Sequence, residues 1–238
     1  MLTAAAVLGA GQPALPGFLN SLAGPLEHYG LWAVLLLVLV EDFGIPVPGE
    51  TVLIHGAAGG IGTAGLQVAK GLGARTIAVV STDIKEAVAR SAGADLVFRA
   101  ADRWKDAVRE QGGADVVLDP VGGDRFTDSL RSLRPGGRLL VVGFTDGSIP
   151  EVRVNRLLLG NTEVVGAGWG SYILGGWDTD ARARRAYLQE TAGALEELIA
   201  ADRVAPIVGA SFALDRAADA LKLIESRAAT GKIVLDVT

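Results

Sequence analysis

The run Ala57-Ala58-Gly59-Gly60-Ile61-Gly62 gathers three glycines into four positions, directly after the apolar segment TVLIH at 51–55. Glycines at this spacing let a main chain without Cβ atoms come close to an anion. Free N–H groups at the start of a following helix then donate to phosphate oxygens, and the helix dipole favours negative charge there. The pattern has the form of a dinucleotide fingerprint with Ala57 in place of the first glycine. Gly62 is the position that lets the helix sit tight on the sheet. A plain tight turn is the alternative, and the strand before and helix after the motif favour the fingerprint.

A site built for NAD places Asp or Glu about 20 residues further on, at the end of the second strand, to hold the ribose 2′-OH. Position 81 is Ser, and Lys85 follows within a turn. A hydroxyl with an ammonium suits a 2′-phosphate, so this pair points to NADPH rather than NADH. Asp83 stands against that reading, because it serves as the acidic residue if the turn is displaced. Lys85 also reads as an ordinary solvated charge on a helix face. Asp119-Pro120-Val121-Gly122-Gly123 and Gly143-Phe144 lie just past the fourth and fifth strands, along which a nicotinamide half must run. Taken alone, both are turn chemistry.

The elements that must position these residues alternate along the chain. Short apolar or β-branched runs at 51–55, 76–80, 95–98, 114–119, 138–143 and 162–168 read as strands. Helical patterns fill the intervals at 62–72, 84–92, 104–111 and 125–133. Gly73 and Gly93 stop the first two, and the fourth ends before Pro135-Gly136-Gly137. This order predicts an α/β fold, a doubly wound parallel sheet of Rossmann type, with the glycine turn at the carboxyl edge of the first strand. Further on, a helix is expected over 179–201, a second one capped by Asp215, and a closing strand KIVLDV at 232–237. No internal repeat is present.

The 238 residues carry a net charge of −5, which argues against a nucleic-acid partner. There is no cysteine, so disulfides, iron–sulfur clusters and thiolate zinc sites are excluded, and the two histidines, His28 and His55, are a poor basis for a zinc site. A reducing, cytoplasmic setting fits this composition. Charge is unevenly placed: residues 1–50 hold no Lys or Arg, and the first basic residue is Lys70. Residues 31–40 read LWAVLLLVLV, ten apolar positions against the roughly 20 needed to span a bilayer. This extra N-terminal hydrophobic helical segment either packs on a globular core or makes membrane contact through residues 18–48. It lacks the basic start of a signal peptide.

From Gly49 onward the chain resembles the C-terminal part of a zeta-crystallin-like quinone oxidoreductase of the medium-chain dehydrogenase/reductase superfamily. The resemblance rests on GETVLIHGAAGGIGTAGLQVAKGLGA, the DPVGG turn, RPGGRLLVVGF and ESRAATGKIVL, and covers about four fifths of the chain. It implies an NADPH-binding domain, no zinc, and hydride transfer to a small-molecule acceptor, a quinone or enone; no metal ligand is assigned. By this resemblance Ala58, Gly59, Gly60 and Ile61 hold the pyrophosphate. Ser81, Lys85 and Arg227 surround the 2′-phosphate, and Val121, Gly143 and Phe144 line the nicotinamide side. Arg227 otherwise reads as a surface charge. The resemblance also implies a homodimer paired through the sixth strand.

In that family a barrel-like domain precedes the cofactor domain and forms the other wall of the active site. Residues 1–48 are too few to supply it, so the catalytic barrel-like domain is expected to be absent. Residues 1–50 resemble instead the start of a DedA-family membrane protein, Glu41 and Glu50 matching its acidic positions. The expected division is therefore a DedA-like segment at 1–48 and an NADP-binding domain at 49–238, joined as a natural fusion, a truncation or an artefact of sequence assembly. Two functions fit: an NADPH-dependent quinone or enone reductase, or a non-catalytic dinucleotide-binding module attached to a membrane-associated segment. No catalytic residue is assigned, and Tyr172 reads as a packed or interface aromatic.

Overall fold

The computed structural model describes residues 49–167 and 181–236. The expectations for residues 1–48, including the apolar run, its membrane contact, its DedA likeness and Glu41, lie outside the described residues, as does Tyr172.

Six strands form one parallel sheet: β1 Thr51–His55, β2 Arg75–Val80, β3 Leu96–Arg99, β4 Ala114–Asp119, β5 Leu133–Val141 and β6 Glu163–Gly166. Their order is β3-β2-β1-β4-β5-β6, and every neighbouring pair is parallel. This is the doubly wound arrangement expected from the sequence, with its reversal of strand order between β1 and β4. Between the strands run α1 Gly60–Gly71, α2 Asp83–Ser91, α3 Trp104–Glu110, α4 Phe126–Ser132 and α5 Asn155–Gly160. They are followed by α6 Ala181–Ala200, β7 Val208–Ala213, α7 Ala217–Glu225 and β8 Lys232–Asp236.

The sheet is buried on both faces, as parallel sheets are. Val52 and Ile54 of β1 pack with Leu66 and Ala69 of α1 and Ala89 of α2. Leu53, between them in sequence, points the other way and packs with Trp104 and Val108 of α3 and Phe126 and Leu130 of α4. Period-2 alternation in one strand thus feeds two cores. At roughly 25 cal/mol per Å² of apolar surface, a buried Leu or Ile side chain contributes about 1.5–3 kcal/mol.

Three expectations need correction. The fifth strand begins at Leu133, not 138, and runs through Pro135-Gly136-Gly137, because a register shift against β4 absorbs the extra residues: Ala114 pairs with Leu133 and Val116 with Arg138. The fourth helix starts as a 3₁₀ turn at Gly123–Arg125 before α4. Asp215 caps nothing; it sits inside a 3₁₀ turn, Leu214–Arg216, ahead of α7. The closing strand forms as expected, returning to a sheet by pairing with β7 in a two-stranded parallel arrangement. That sheet reaches the rest through Gly231, whose N–H donates to the Ala58 carbonyl at 2.7 Å.

Candidate nucleotide-binding site

The turn after β1 is shaped by contacts that exclude side chains. A Cβ on Gly62 would lie 2.3 Å from the Gly56 carbonyl oxygen and 2.5 Å from the Ala57 Cα, both main-chain atoms that cannot step aside. Only glycine lets α1 start this close to its own turn. The close approach to the sheet expected of Gly62 falls on Gly65, whose Cβ would meet Leu118 Cδ2 at 2.7 Å. No side chain caps the N-terminus of α1, and its first turn holds no acidic residue. The N–H groups there are left for an outside acceptor.

A cavity of about 740 Å³ opens at the carboxyl ends of β1, β2 and β4, where the strand order reverses. That size lies within the range of cofactor sites. Ala58, Gly59, Gly60 and Ile61 line one part of it, Ser81 and Lys85 another, and Val121 and Arg227 also face it. Eight of the ten residues singled out from sequence therefore share one cavity. Gly143 and Phe144 do not line it; Phe144 lies against Gly122, its Cδ1 3.0 Å from where a Cβ there would sit.

Ser81 and Lys85 are brought together by the start of α2. Thr82 caps that helix, its hydroxyl accepting from the Lys85 N–H at 3.3 Å. One turn on, Lys85 Nζ donates to Ser81 Oγ at 3.3 Å and to the Arg227 carbonyl at 2.7 Å. Asp83, the competing acidic residue, pairs with Arg99, which also holds Glu86 at 2.8 Å, and Asp83 does not face the cavity. The Arg227 guanidinium is turned toward Asp146, 3.5 Å from its carboxylate and 3.2 Å from its carbonyl.

Two residues given no site role of their own by the sequence shape the far side. Asp119 ends β4 buried, and its Oδ1 accepts from the N–H groups of Val121 at 2.8 Å and Gly122 at 2.9 Å, fixing the DPVGG turn. Its Oδ2 is buried without a hydrogen-bond partner among the described residues. His55 ends β1 and is also buried. Its Nε2 lies 2.8 Å from Ser129 Oγ, and that hydroxyl donates to the Arg125 carbonyl, so the imidazole N–H is the donor in the pair. The Trp104 ring meets the imidazole edge-on at 4.9 Å. Burial lowers the His55 pKa to about 4; the Asp119 charge works against this and Arg125 with it. The imidazole is therefore neutral at physiological pH and supplies no readily exchanged proton. The sequence places Asp119 in a turn without showing that its carboxylate holds that turn; nothing local flags His55, whose partner is 74 positions away.

Among the described residues no three His, Cys, Asp or Glu side chains converge as a metal site requires, and no helix is long and apolar enough to cross a membrane.

The family model described as zinc-binding dehydrogenase matches residues 60–184. Quinone oxidoreductase-like protein 2 of Bos taurus is 37% identical over 246 residues, covering 94% of this chain and 68% of that protein. A mycobacterial structure determined in complex with NADPH superposes with a TM-score of 0.72 at 30% identity, over 87% of this chain and 62% of that one. The quinone oxidoreductase of Thermus thermophilus, also solved with NADPH, gives a TM-score of 0.68 at 31% identity, over 84% of this chain and 62% of that one. The chain thus spans less than two thirds of either solved relative. The bovine match leaves too little of the chain uncovered to exclude residues 1–48, and the DedA likeness finds no support in these comparisons. The zinc named in the family's description finds no fit in a chain without cysteine.

Proposed function

Because the chain belongs to the zinc-binding dehydrogenase family, as a quinone oxidoreductase-like member of the medium-chain dehydrogenase/reductase superfamily, we propose that it carries the cofactor domain of an NADPH-dependent oxidoreductase. The acceptor is a small molecule, a quinone or enone. The observation that carries this is the single cavity joining the glycine turn to the Ser81–Lys85 pair.

In this reading the amides of Gly60 and Ile61 receive the pyrophosphate, Gly59, whose own N–H donates to the Gly56 carbonyl at 2.9 Å, leaves the approach open, and Ala58 packs beneath them. Ser81, Lys85 and Arg227 receive the 2′-phosphate. Arg227 must then exchange its hold on Asp146 for the ligand, and Lys85 must trade part of its bond to the Arg227 carbonyl. Bound NADPH supplies two electrons and a proton equivalent as hydride from its nicotinamide ring. Val121 lines the wall beside which that ring lies, with Gly143 and Phe144 behind it. Asp119 holds this wall in shape through the Val121 and Gly122 amides.

Titration calorimetry with NADPH and NADH tests the reading. Micromolar binding of NADPH, tighter than NADH, is expected; no binding of either sinks it.

The domain organisation follows the same reading: residues 49–238 form the cofactor domain, and 1–48 a separate segment. The location proposed is cytoplasmic. Homodimer formation through β6 is proposed because this strand is the edge of the sheet and Val164 on it is exposed. Sedimentation showing only monomer across micromolar concentrations would remove that part.

A further inference from the structure

Asp146 stands where a dinucleotide site has no evident use for an acid. It lies in the loop after β5 and lines the same cavity as Ser81, Lys85 and Arg227. Lys85 is engaged by neutral oxygens, Ser81 Oγ and the Arg227 carbonyl. Arg227 instead faces a carboxylate, Asp146 Oδ1, 3.5 Å from its Nη1.

The seat of that carboxylate is built into the fold. The Asp146 N–H donates to the Val121 carbonyl at 3.0 Å and the Thr145 N–H to the Pro120 carbonyl at 3.1 Å, while the Gly147 N–H closes the turn on the Phe144 carbonyl at 3.0 Å. A Cβ on Gly123 would collide with the Asp146 carboxylate, so glycine at that position lets the acid lie against the DPVGG turn. Arg227 reaches it from the opposite side. The Arg227 N–H donates to the Ile224 carbonyl at 2.9 Å, its own carbonyl accepts from Lys85 at 2.7 Å, and its Nη2 donates to the Asp146 carbonyl at 3.2 Å. The first two bonds fix the main chain without help from the Asp146 carboxylate. The guanidinium is therefore free to leave that carboxylate while its turn stays in place.

A guanidinium offers one planar fork of donors, and a carboxylate and a phosphate compete for it. The side chains of Arg227 and Asp146 are 66% and 38% exposed, so water and salt weaken their pairing. A phosphate monoester carries more charge and three strong acceptor oxygens, so it wins the exchange. We propose that Asp146 is a specificity-determining residue: it competes with the 2′-phosphate for Arg227 and so holds down the preference for NADPH over NADH. The inference rests on the reading of the cavity as an NADPH site with Arg227 at the 2′-phosphate. NADH has no such phosphate, leaves Arg227 on Asp146, and meets no cost from the acid.

The test is calorimetry of the full-length chain, unmodified and Asp146→Asn, with NADPH and NADH. Absence of NADPH binding by both chains overturns the parent reading and this one together. Given binding, Asp146→Asn, which keeps the side chain's shape and the main-chain bonds, is expected to tighten NADPH by roughly two- to fivefold, the range of an exposed ion pair. NADH should bind unchanged. In a chain that already carries Arg227→Ala, adding Asp146→Asn should alter neither affinity. Unchanged or weaker NADPH binding by Asp146→Asn overturns the proposal and leaves the parent reading standing. An equal gain for both cofactors, or a gain that persists without Arg227, would show that the lost charge only eases the approach of any anionic ligand, and overturns it as well. Asp146→Ser repeats the comparison if Asp146→Asn does not fold. Failure of both to fold would show that the carboxylate serves the turn, and overturns the proposal too.

Discussion

Lys85 Nζ donates to the main-chain oxygen of Arg227 at 2.7 Å, across 142 residues of chain. The bond ties the start of α2 to the turn after α7, where Arg227 adopts a left-handed conformation with φ of 58°. A non-glycine residue in that region costs of order 1 kcal/mol or more and persists only where its surroundings hold it. Lys85 is one of those holds, and Asp146, engaged by the Arg227 guanidinium, is another. The residues proposed to read the 2′-phosphate are therefore already in contact with one another.

Replacing Lys85 by Ala should weaken NADPH by about 1–2 kcal/mol, roughly 5- to 30-fold, and leave NADH nearly untouched. Calorimetry with both cofactors decides it. An equal loss for both would mean that Lys85 acts through the fold at Arg227 and not on the phosphate.

His55 makes stability depend on pH in a defined window. Burial lowers its folded pKa to about 4 from an unfolded value of 6.5. Above 6.5 both states are neutral and its contribution is constant. As pH falls from 6.5 toward 4 the unfolded chain gains a proton that the folded chain refuses, so stability is lost progressively. Integrated over the window, the loss is about 3 kcal/mol. His55→Gln should flatten denaturant-melt stability between pH 6.5 and 4. Asp95 does not confuse the window. Burial pushes its carboxyl up, but Lys70 and Thr76 outweigh this and hold it below 3.8, so its contribution is lost only under more acid conditions. An unchanged pH slope in the variant would refute the assignment.

Gly62→Ala should destabilise by about 1–3 kcal/mol or more, because the new methyl meets rigid main chain at 2.3 Å and 2.5 Å. Gly193→Ala in α6 is the opposing control. Among the described residues nothing lies within 4 Å of its Cβ position, so it should gain about 0.5–1 kcal/mol of helix propensity. Thermal melts of the two variants should move in opposite directions; a Gly62→Ala chain that melts normally would show that the turn yields.

Residues 49–238 expressed alone should fold and melt cooperatively. Both hydrophobic clusters and every strand pairing described here are made within that stretch. Circular dichroism of the shortened chain measures this, and a disordered product would contradict it.

The sequence made some elements plain and hid others for identifiable reasons. β4 was readable to the residue because ADVVLD is apolar and β-branched between Gly113 and Pro120. β7, VGASFA, escaped because Gly, Ala and Ser carry little strand signal. α5 is six residues long, too short for periodicity to show. The Pro135-Gly136-Gly137 run reads as a terminator, and only its pairing with β4 makes it part of a strand. Within the site, local spacing exposed the glycine turn and Ser81 with Lys85. The role of His55 depends on a partner 74 positions away. No window along the chain contains it.

The bond from the Gly231 N–H to the Ala58 carbonyl also sets an order of events during synthesis. The ribosome releases the glycine turn and its helix before β8, and the four central strands can pair in the interval. Gly231 and Lys232 emerge about 170 residues later, which at 5–20 residues per second is a delay of roughly 10–30 s. Until then the turn lacks the backbone partner that β8 brings, and the nascent sheet presents its carboxyl edge uncovered. Arg227, which completes the proposed cofactor cavity, reaches the glycine turn only after that interval.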